Sequence, residues 1–369
     1  MSLLFYAWGE PVYVLLMFAQ IVISYVLLWL VDRYRGKKAA RIFYILSVFL
    51  PFAALFYFKY FYFFMDTVFG IQTKIIALPI GISFYTFQIV SYCVDVYYNR
   101  VERQKNLVTY AAYVTLFPQL VAGPIVRYSE IEHTLTKGID FSAFHVKFKQ
   151  GVVRFAVGLG KKVLIANVIG EFVAEVAALG TRNLELSWAY AIAVSLQIYF
   201  DFSGYSDMAI GLGGILGFSF PENFRYPFIS RSVTEFWRRW HITLGAWFRD
   251  YVYIPMGGNR VHMTRWMLNI LVVWLFTGLW HGAGWNFITW GLLFAVLLVI
   301  EKGVSRLFGG KNPSVNTANK EYVLKKDLTG VTINILKHIY VILVILVSFL
   351  IFHNESLLDT ITDIQALFA

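Results

Sequence analysis

The sequence contains little charge and a single cysteine. Only 15% of its 369 residues are charged, 58% are hydrophobic, and the mean hydropathy is +0.61. A soluble domain carries about 25% charged residues, so this composition excludes a soluble globular protein and indicates an integral membrane protein. The lone Cys93 excludes an internal disulfide and a cysteine metal cluster. We assign the net charge of +10 to basic loops at a membrane surface, and we expect no nucleic-acid partner.

Long uncharged runs alternate with basic loops in the first third of the chain. The run 12–30 can cross a hydrocarbon core of roughly 30 Å at about 1.5 Å per residue, and it is too long for the apolar core of a secretory signal. Further uncharged runs cover 42–58 and 75–94, and basic loops follow the first and third runs. The positive-inside rule assigns both loops to the cytoplasm and predicts a multi-pass protein embedded in the lipid bilayer.

Other apolar segments are interrupted by proline, glycine or charge. Pro118 and Gly123-Pro124 break the run 107–126, which predicts a kinked or re-entrant segment. Residues 141–162 alternate basic and apolar side chains, as in an amphipathic helix along the cytoplasmic surface. The apolar run 188–200 leads into carboxylates at 201 and 207, which we expect to face protein or a lumen and to partner buried hydroxyls or arginines.

The last third contains two further hydrophobic segments. Residues 221–265 are too polar for an ordinary span, whereas 266–300 contain no Asp, Glu, Lys or Arg and are too long for one crossing. We predict that the second stretch breaks near 278–284, which places His281 at a bend between two helices. A final span covers 339–352 and can extend back to 331. We find no internal repeat and expect one membrane domain, 1–369.

Arginine replaces lysine over a long central stretch of the chain. No lysine occurs between residues 163 and 301, and the stretch from Glu222 to Arg265 holds seven arginines against three acids, an excess of four positive charges. Arginine stays charged when partly buried and binds phosphate through a fork of N–H groups. We predict that this segment, with Arg238 and Arg239, and the lysines Lys161 and Lys162 bind an anionic acyl donor. The alternative is that the arginines face anionic lipid headgroups and set topology.

Two histidines stand in aromatic surroundings that are poor in acids. His281 lies in the sequence LWHGAGW, and His241 ends the sequence FWRRWH, 40 residues earlier. Desolvation disfavours the imidazolium, so a buried imidazole is predicted to be neutral, which is the form that a general base requires. We predict that both histidines belong to a buried site that handles protons. The alternative for each is a structural histidine that is hydrogen-bonded across helices.

Three other kinds of site find no support in the sequence. Around the two histidines there is no His-x-x-x-His or Glu-x-x-His spacing, so we expect no metal site. The glycines at 211–214 do not form a dinucleotide-binding fingerprint, since a strand-turn-helix is not credible in this membrane segment. Ser203 and Ser206 lack the Gly-x-Ser-x-Gly elbow of a serine hydrolase. We expect no bound cofactor.

Six motifs in a fixed order resemble the membrane-bound O-acyltransferase family, over nearly the whole chain. They are 78–88 (LPIGISFYTFQ), 117–125 (FPQLVAGPI), 199–207 (YFDFSGYSD), 236–241 (FWRRWH), 253–260 (YIPMGGNR) and 280–282 (WHG). The branch with the greatest resemblance acetylates exported glycans such as alginate and peptidoglycan, and a sister branch passes D-alanine toward teichoic acids. Family members usually have a further hydrophobic segment before residue 2 and continue past residue 369, so we expect this chain to be shorter at both ends.

The resemblance implies an all-α membrane fold, a ring of transmembrane and re-entrant helices around a central tunnel. It also implies that His281 is the catalytic histidine and His241 the second histidine of the active site. An acetyl group would pass from acetyl-CoA in the cytoplasm to an exported polysaccharide such as alginate or peptidoglycan. Transfer would involve an extracytoplasmic partner, either an SGNH-type acetyltransferase or a relay protein, and the expected location is the cell inner membrane.

Three alternatives remain open from the sequence. The cargo could be D-alanine delivered by a carrier protein, the chain could be a non-catalytic glycan or lipid transporter, or it could be a scaffold that recruits a soluble transferase. Transporters often show internal repeats and paired midplane carboxylates, and we find neither pattern in this sequence. No residue pattern identifies the acceptor glycan.

Overall fold

The structure is a computed structural model. It describes residues 2–74, 76–139, 141–179, 182–308 and 328–368, and most of these residues are helical. Its α-helices are α1 Ser2–Gly9, α2 Tyr13–Arg33, α3 Lys38–Lys59, α4 Phe61–Phe69, α5 Ile82–Tyr97, α6 Leu107–Thr115, α7 Phe117–Leu120, α8 Tyr128–Lys137, α9 Phe141–Gly160, α10 Asn167–Ala177, α11 Leu184–Ile215, α12 Val233–Arg239, α13 Ile242–Phe248, α14 Met263–His281, α15 Trp285–Phe308, α16 Leu328–His353 and α17 Leu357–Gln365. No β-strand occurs within these described ranges. The predicted all-α class is confirmed.

Five helical segments of the described chain are long and apolar enough to cross a membrane. They are Tyr13–Arg33, Lys38–Lys59, Met263–His281, Trp285–Val304 and Gly330–His353. These segments match the predicted spans at 12–30 and 42–58, the two halves of 266–300, and the last span. The prediction of a multi-pass membrane protein is therefore confirmed. The ring around a tunnel stays an expectation from the resemblance.

The segment predicted as a span at 75–94 begins its helix later. Residue 75 lies outside the described residues, and helix α5 starts at Ile82 and has 16 residues. Gly81 precedes it with φ of 74°, a left-handed conformation that an L-residue adopts only under strain. Pro79 fixes its own φ and cannot donate a backbone hydrogen bond. Proline and glycine together therefore delay the start of the helix.

The predicted interruption of 107–126 is present. Helix α6 ends at Thr115, the four-residue α7 carries Pro118 at its start, and the backbone after it is not helical. Proline fits the first turn of a helix, where its missing N–H is not needed, but it cannot continue α6.

The chain divides into two compact units. The first comprises Met1–Ile169 with Gln197–Asn223, and the second comprises Gly170–Leu196 with Phe224–Ala369. The core of the first unit is rich in tyrosine. It includes Tyr92, Tyr110 and Tyr128, each at most 1% exposed, and the ring centroids of Tyr92 and Tyr128 lie 4.7 Å apart. The single membrane domain expected from the sequence stays a prediction.

Glycines bring α9 and α11 close together in the first unit. A Cβ added at Gly158 would lie 2.6 Å from the carbonyl oxygen of Gly204, and one added at Gly151 would lie 2.6 Å from that of Gly211. Small residues that allow helix backbones to approach are typical of membrane helix pairs. Helix α9 continues through a π-helical turn, Lys161–Ala166, so 141–177 is one helical stretch. The predicted amphipathic segment is thus helical; its position at the membrane surface stays a prediction.

The α14–α15 hairpin in the second unit also depends on glycines. A Cβ at Gly278 would lie 2.2 Å from the carbonyl oxygen of Phe287, and one at Gly291 would lie 2.4 Å from that of Trp274. The backbones of α14 and α15 are therefore in close contact at two places along the hairpin, between Gly278 and Phe287 and between Trp274 and Gly291. The predicted break near 278–284 is confirmed, and His281 is the last residue of α14.

We expect Gly291→Ala to destabilise the protein by about 1–3 kcal/mol, because the added methyl group overlaps a backbone carbonyl that cannot move alone. The matched control is Gly303→Ala on the same helix, where an added Cβ meets nothing within 4 Å. There the better helix propensity of alanine should leave the protein equally stable or more stable, by up to about 1 kcal/mol. Thermal unfolding of the two variants in detergent measures the difference. Equal midpoints would show that α14 and α15 do not need this close approach.

Candidate active site

His281 ends α14 inside an aromatic enclosure. Its ring centroid lies 4.9 Å from that of Trp280, 5.1 Å from that of Trp290 and 5.0 Å from that of Phe352. Trp290 comes from α15 and Phe352 from the end of α16, so three helices of the second unit meet at this imidazole. The side chain is half-buried, whereas Trp290 is 1% exposed. The walls are apolar, but the imidazole itself keeps some access to its surroundings.

His241 lies on the other side of the same tryptophan. The centroid of its imidazole is 5.7 Å from that of Trp280, and the residue is 2% exposed. Burial lowers the pKa of His241 well below its usual range, and the nearby His281 lowers it further. His241 is therefore neutral at physiological pH. The structure thus brings together the two histidines that the sequence singled out, with the indole of Trp280 in contact with both.

The backbone at His241 is strained. Its φ of 42° and ψ of 53° are left-handed, a conformation that non-glycine residues rarely adopt. The residue stands between α12 and α13, and its carbonyl oxygen accepts a hydrogen bond from the amide of Gly245 at 3.1 Å. Such strain costs on the order of 1–3 kcal/mol and tends to concentrate at functional sites. The sequence did not predict this conformation, because no residue pattern around His241 indicates a positive φ.

Aromatic side chains fix α12 against the long helices of the second unit. The ring of Trp237 lies 4.5 Å from that of Trp274 on α14 and 4.8 Å from that of Phe294 on α15. On the opposite side of α12, Phe236 stacks on Trp240, which lies 5.0 Å from Phe349 of α16. Sequence reasoning did not identify these neighbours, because they come from helices far apart along the chain.

The predicted donor-binding arginines differ in their surroundings. Arg239 forms an ion pair with Glu235, with Nη2 to Oε1 at 2.8 Å, and its Nη1 donates to the carbonyl oxygen of Arg225 at 3.2 Å. Arg238 is exposed, and its guanidinium forms no ion pair or hydrogen bond within the part of the chain that the structure describes. Arg238 is therefore available to an external anion, whereas Arg239 also supports the backbone that leads to His241.

The predicted lysines are held in ion pairs within the first unit. Lys161 Nζ lies 2.6 Å from Asp207 Oδ2, and Lys162 pairs with Asp201. Arg154 also binds Asp207, with Nη2 to Oδ1 at 2.7 Å, and it bridges to Glu222. The expectation that the carboxylate at 207 partners a buried arginine agrees with this arrangement. Both lysines already have internal counter-ions, and donor binding by them stays a prediction.

Metal ligands do not gather anywhere in the described chain. Within it, no group of three His, Cys, Asp or Glu side chains is arranged to hold a metal ion. The site that the structure describes consists of two imidazoles in an aromatic enclosure. A neutral imidazole can accept a proton from a hydroxyl group and can donate one N–H to a carbonyl oxygen. That combination suits acyl transfer.

We expect His241→Asn to be more stable than His241→Ala by about 1 kcal/mol, because asparagine tolerates the left-handed backbone better than alanine does. Equilibrium unfolding of the two variants measures this difference. As a control, the same pair of substitutions at the exposed His133, which lies inside α8, should show no such preference for asparagine, because alanine has the better helix propensity. If the asparagine preference is equal at both positions, the strain at His241 has no energetic effect.

The chain is similar to several known proteins. The chain is 39% identical over 96% of its length to the probable alginate O-acetylase of Pseudomonas aeruginosa. It is 34% identical over 82% of its length to the peptidoglycan O-acetyltransferase of Helicobacter pylori, covering 63% of that protein. A teichoic acid D-alanyltransferase of Bacillus subtilis is 30% identical over 59% of the chain and is covered over 58% of its own length.

The chain spans 66% of the length of the Pseudomonas relative and 69% of that of a second probable alginate O-acetylase, from Azotobacter vinelandii, to which it is 38% identical. The sequence profile of the membrane-bound O-acyltransferase family matches residues 98–314, a range that contains both histidines. The resemblance noted from the motifs is thus confirmed: the chain belongs to the membrane-bound O-acyltransferase family.

Proposed function

We propose that this protein is an O-acyltransferase of the cell inner membrane that moves an acetyl group from acetyl-CoA toward hydroxyl groups of an exported polysaccharide. The observation that carries the proposal is the contact of both imidazoles, His241 and His281, with the indole of Trp280. Family membership supports the reaction class, and the relatives named for alginate and peptidoglycan acetylation support acetyl as the cargo and a glycan as acceptor.

In this reaction His281 acts as the general base. Its neutral imidazole accepts the proton of the acceptor hydroxyl while the hydroxyl oxygen attacks the thioester carbon. The tetrahedral intermediate then collapses with cleavage of the C–S bond, and the thiolate of coenzyme A takes up the proton. General-base assistance of this kind contributes typically about 10²–10⁴-fold to the rate. In a second version a ring nitrogen of His281 attacks the thioester carbon, the C–S bond breaks, and coenzyme A leaves as the thiol with the N–H proton of the ring. The acceptor hydroxyl then attacks the acetyl-imidazole, takes the acetyl group and returns its proton to the ring.

His241 polarises the thioester carbonyl. A buried neutral imidazole has one N–H, which can donate a hydrogen bond to the carbonyl oxygen as negative charge develops there. The aromatic walls supplied by Trp280, Trp290 and Phe352 keep water away from the reacting thioester and strengthen this hydrogen bond. The left-handed backbone at His241 is consistent with a side chain held in place for this purpose.

The donor's phosphate groups bind to exposed arginines of the segment from Arg225 to Arg265. Arg238 is the main candidate, because it has no internal counter-ion among the described residues and lies three positions before His241. Arg239 contributes less, since Glu235 already neutralises it. Lys161 and Lys162 contribute at the cytoplasmic entrance only if their pairs with Asp207 and Asp201 open.

The acetyl group reaches the glycan through an extracytoplasmic partner, an SGNH-type acetyltransferase or a relay protein. The second candidate function is D-alanyl transfer, which the match to a teichoic acid D-alanyltransferase supports. That match is less similar and covers less of the chain than the match to the alginate O-acetylase. A D-alanyl enzyme would take its cargo from a carrier protein and would not use acetyl-CoA.

We expect His281→Ala to abolish transfer of radiolabelled acetyl from acetyl-CoA to glycan or partner protein, since it removes the imidazole that acts as the general base in the proposed reaction. The assay uses membranes that contain the protein, with abundance measured in parallel. His262→Ala is the matched control, because His262 is exposed and its imidazole forms a hydrogen bond, within the described part of the chain, with Thr264 alone. Transfer by His281→Ala at the wild-type rate would remove His281 from the mechanism. Transfer from a D-alanyl carrier but not from acetyl-CoA would select the second candidate.

We expect Arg238→Glu to raise the apparent KM for acetyl-CoA by about tenfold, because a charge-assisted bond to phosphate contributes about 1.5–3 kcal/mol. The turnover number should change less. Arg33→Glu is the control, since it makes the same charge change at an exposed arginine at the end of α2, outside the arginine segment. Steady-state kinetics at two salt concentrations measure both variants. An equal change in KM for both would indicate general attraction of the donor and not a site at Arg238.

A further inference from the structure

Helix α12 is too short to hold itself in place. It has seven residues, carries Arg238 and Arg239, and ends two positions before His241. Helices of this length are marginal in isolation, and the first N–H groups of any helix have no acceptor within it. An unpaired backbone N–H is especially unfavourable inside a membrane protein, where no water replaces the missing acceptor. Other side chains must therefore bind the first turn of α12.

A carboxylate from another helix binds that turn. Oε1 of Glu301 accepts a hydrogen bond from the amide of Val233 at 2.6 Å, and Oε2 accepts from the amide of Thr234 at 2.9 Å. Oε2 also accepts from the hydroxyl of Thr234 at 2.9 Å. Three hydrogen bonds that two consecutive residues donate to one carboxylate fix both the position and the direction of α12. Hydrogen bonds to a charged acceptor are about twice as strong as neutral ones.

The next N–H group of α12 is bound locally. The hydroxyl oxygen of Ser232 accepts from the amide of Glu235 at 3.0 Å, and the side chain of Glu235 accepts from the amide of Arg231, also at 3.0 Å. Ser232 can bind only one of the three leading amides. Glu301 binds the other two, so no local residue replaces it.

Glu301 also belongs to the helix that builds the wall around His281. Helix α15 contributes Phe287 and Trp290 to the enclosure and contributes Glu301 three turns later. One continuous helix thus contacts His281 near its start and holds the segment that carries His241 further along. The distance between the two imidazoles therefore depends on the length of α15 between Trp290 and Glu301.

Two further polar anchors hold the same segment of the second unit. Nδ1 of His338, on α16, donates a hydrogen bond to the carbonyl oxygen of Ser230 at 2.9 Å. Nζ of Lys302, next to Glu301, donates to Asn259 Oδ1 at 3.2 Å. Neither of these contacts reaches α12 itself. Among these anchors only Glu301 acts directly on the helix that leads to His241.

We propose that Glu301 is a positioning residue for acyl transfer: its carboxylate holds α12 so that His241 stays in register with His281. The geometric part of the proposal, that Glu301 holds α12 in place, rests on the hydrogen bonds alone. The catalytic part, that this supports acyl transfer, rests on the proposed function. The two parts need separate measurements. Glu301 touches neither imidazole, so its effect on catalysis is indirect.

The geometric part is tested with a spin label on α12. Cys93 is buried, so the spin label is attached to an exposed thiol introduced by Arg238→Cys. This substitution is combined with each of the substitutions under test. Glu301→Gln has nearly the same shape but offers one acceptor oxygen and turns an NH₂ group toward a backbone donor. We expect the label to become more mobile in Glu301→Gln. Glu301→Asp keeps the charge but is shorter, and should give intermediate mobility.

Glu355→Gln is the matched control for this label experiment, because Glu355 is exposed in the same unit and forms no hydrogen bond among the described residues. It should leave the spectrum unchanged. The measurement needs no enzyme activity, so it remains decisive if the acetyl reaction is absent. An unchanged spectrum in both Glu301 variants would overturn the proposal.

The catalytic part is tested with a double-mutant cycle on acetyl transfer. We expect Glu301→Gln to lower kcat by about tenfold when His241 is present, since small misplacements of a catalytic group have effects of this order or larger. In the His241→Asn background the same change should cost less than about twofold, because the residue that Glu301 positions is gone. A merely structural Glu301 would lower activity equally in both backgrounds. Equal losses would refute the positioning role even if the label becomes mobile.

Discussion

Backbone N–H groups that lie in a protein surrounded by lipid must find acceptors within that protein, and this constraint shapes the segment that carries His241. Long helices satisfy it internally, but α12 and the turn before it cannot. Glu301 and Ser232 accept from the first turn of α12, and His338 donates to the turn before it. Polar side chains on long apolar helices thus hold the irregular segment in place through hydrogen bonds.

Aromatic packing around the two histidines sets their chemistry. Trp280 contacts both imidazoles, and Trp290 and Phe352 enclose His281 from two other helices. Low polarity keeps an imidazole neutral, and it also strengthens each hydrogen bond that forms during a reaction. The same walls that make a charge unfavourable therefore make a neutral base and a carbonyl-polarising N–H effective. The half-buried His281 and the fully buried His241 suit these two different tasks.

The positive charges divide into those with internal partners and those without. Arg154, Lys161 and Lys162 are matched by Asp207, Glu222 and Asp201, which leaves that cluster electrically neutral. Arg238 is exposed and has no counter-ion in the described chain, although its neighbour Arg239 does. Only some of the excess arginines that the sequence indicated are therefore available to bind an external anion. Burial and pairing, and not the number of cations, decide which arginines can bind an anionic donor.

The sequence by itself determined the class of fold, the positions of the main apolar helices and the break at 278–284, and it singled out His241 and His281 as candidate site residues. These features depend on local composition: runs without charge, helix-breaking glycine and proline, and histidines among tryptophans. The tertiary structure alone decided that the two imidazoles share Trp280, that Phe352 and Trp290 enclose His281, and that Lys161 and Lys162 are paired. It alone decided the left-handed backbone at His241 and the hydrogen bond between Glu301 and Val233, which lie 68 positions apart. Such contacts join residues that are distant along the chain, and no local pattern records which helices will meet.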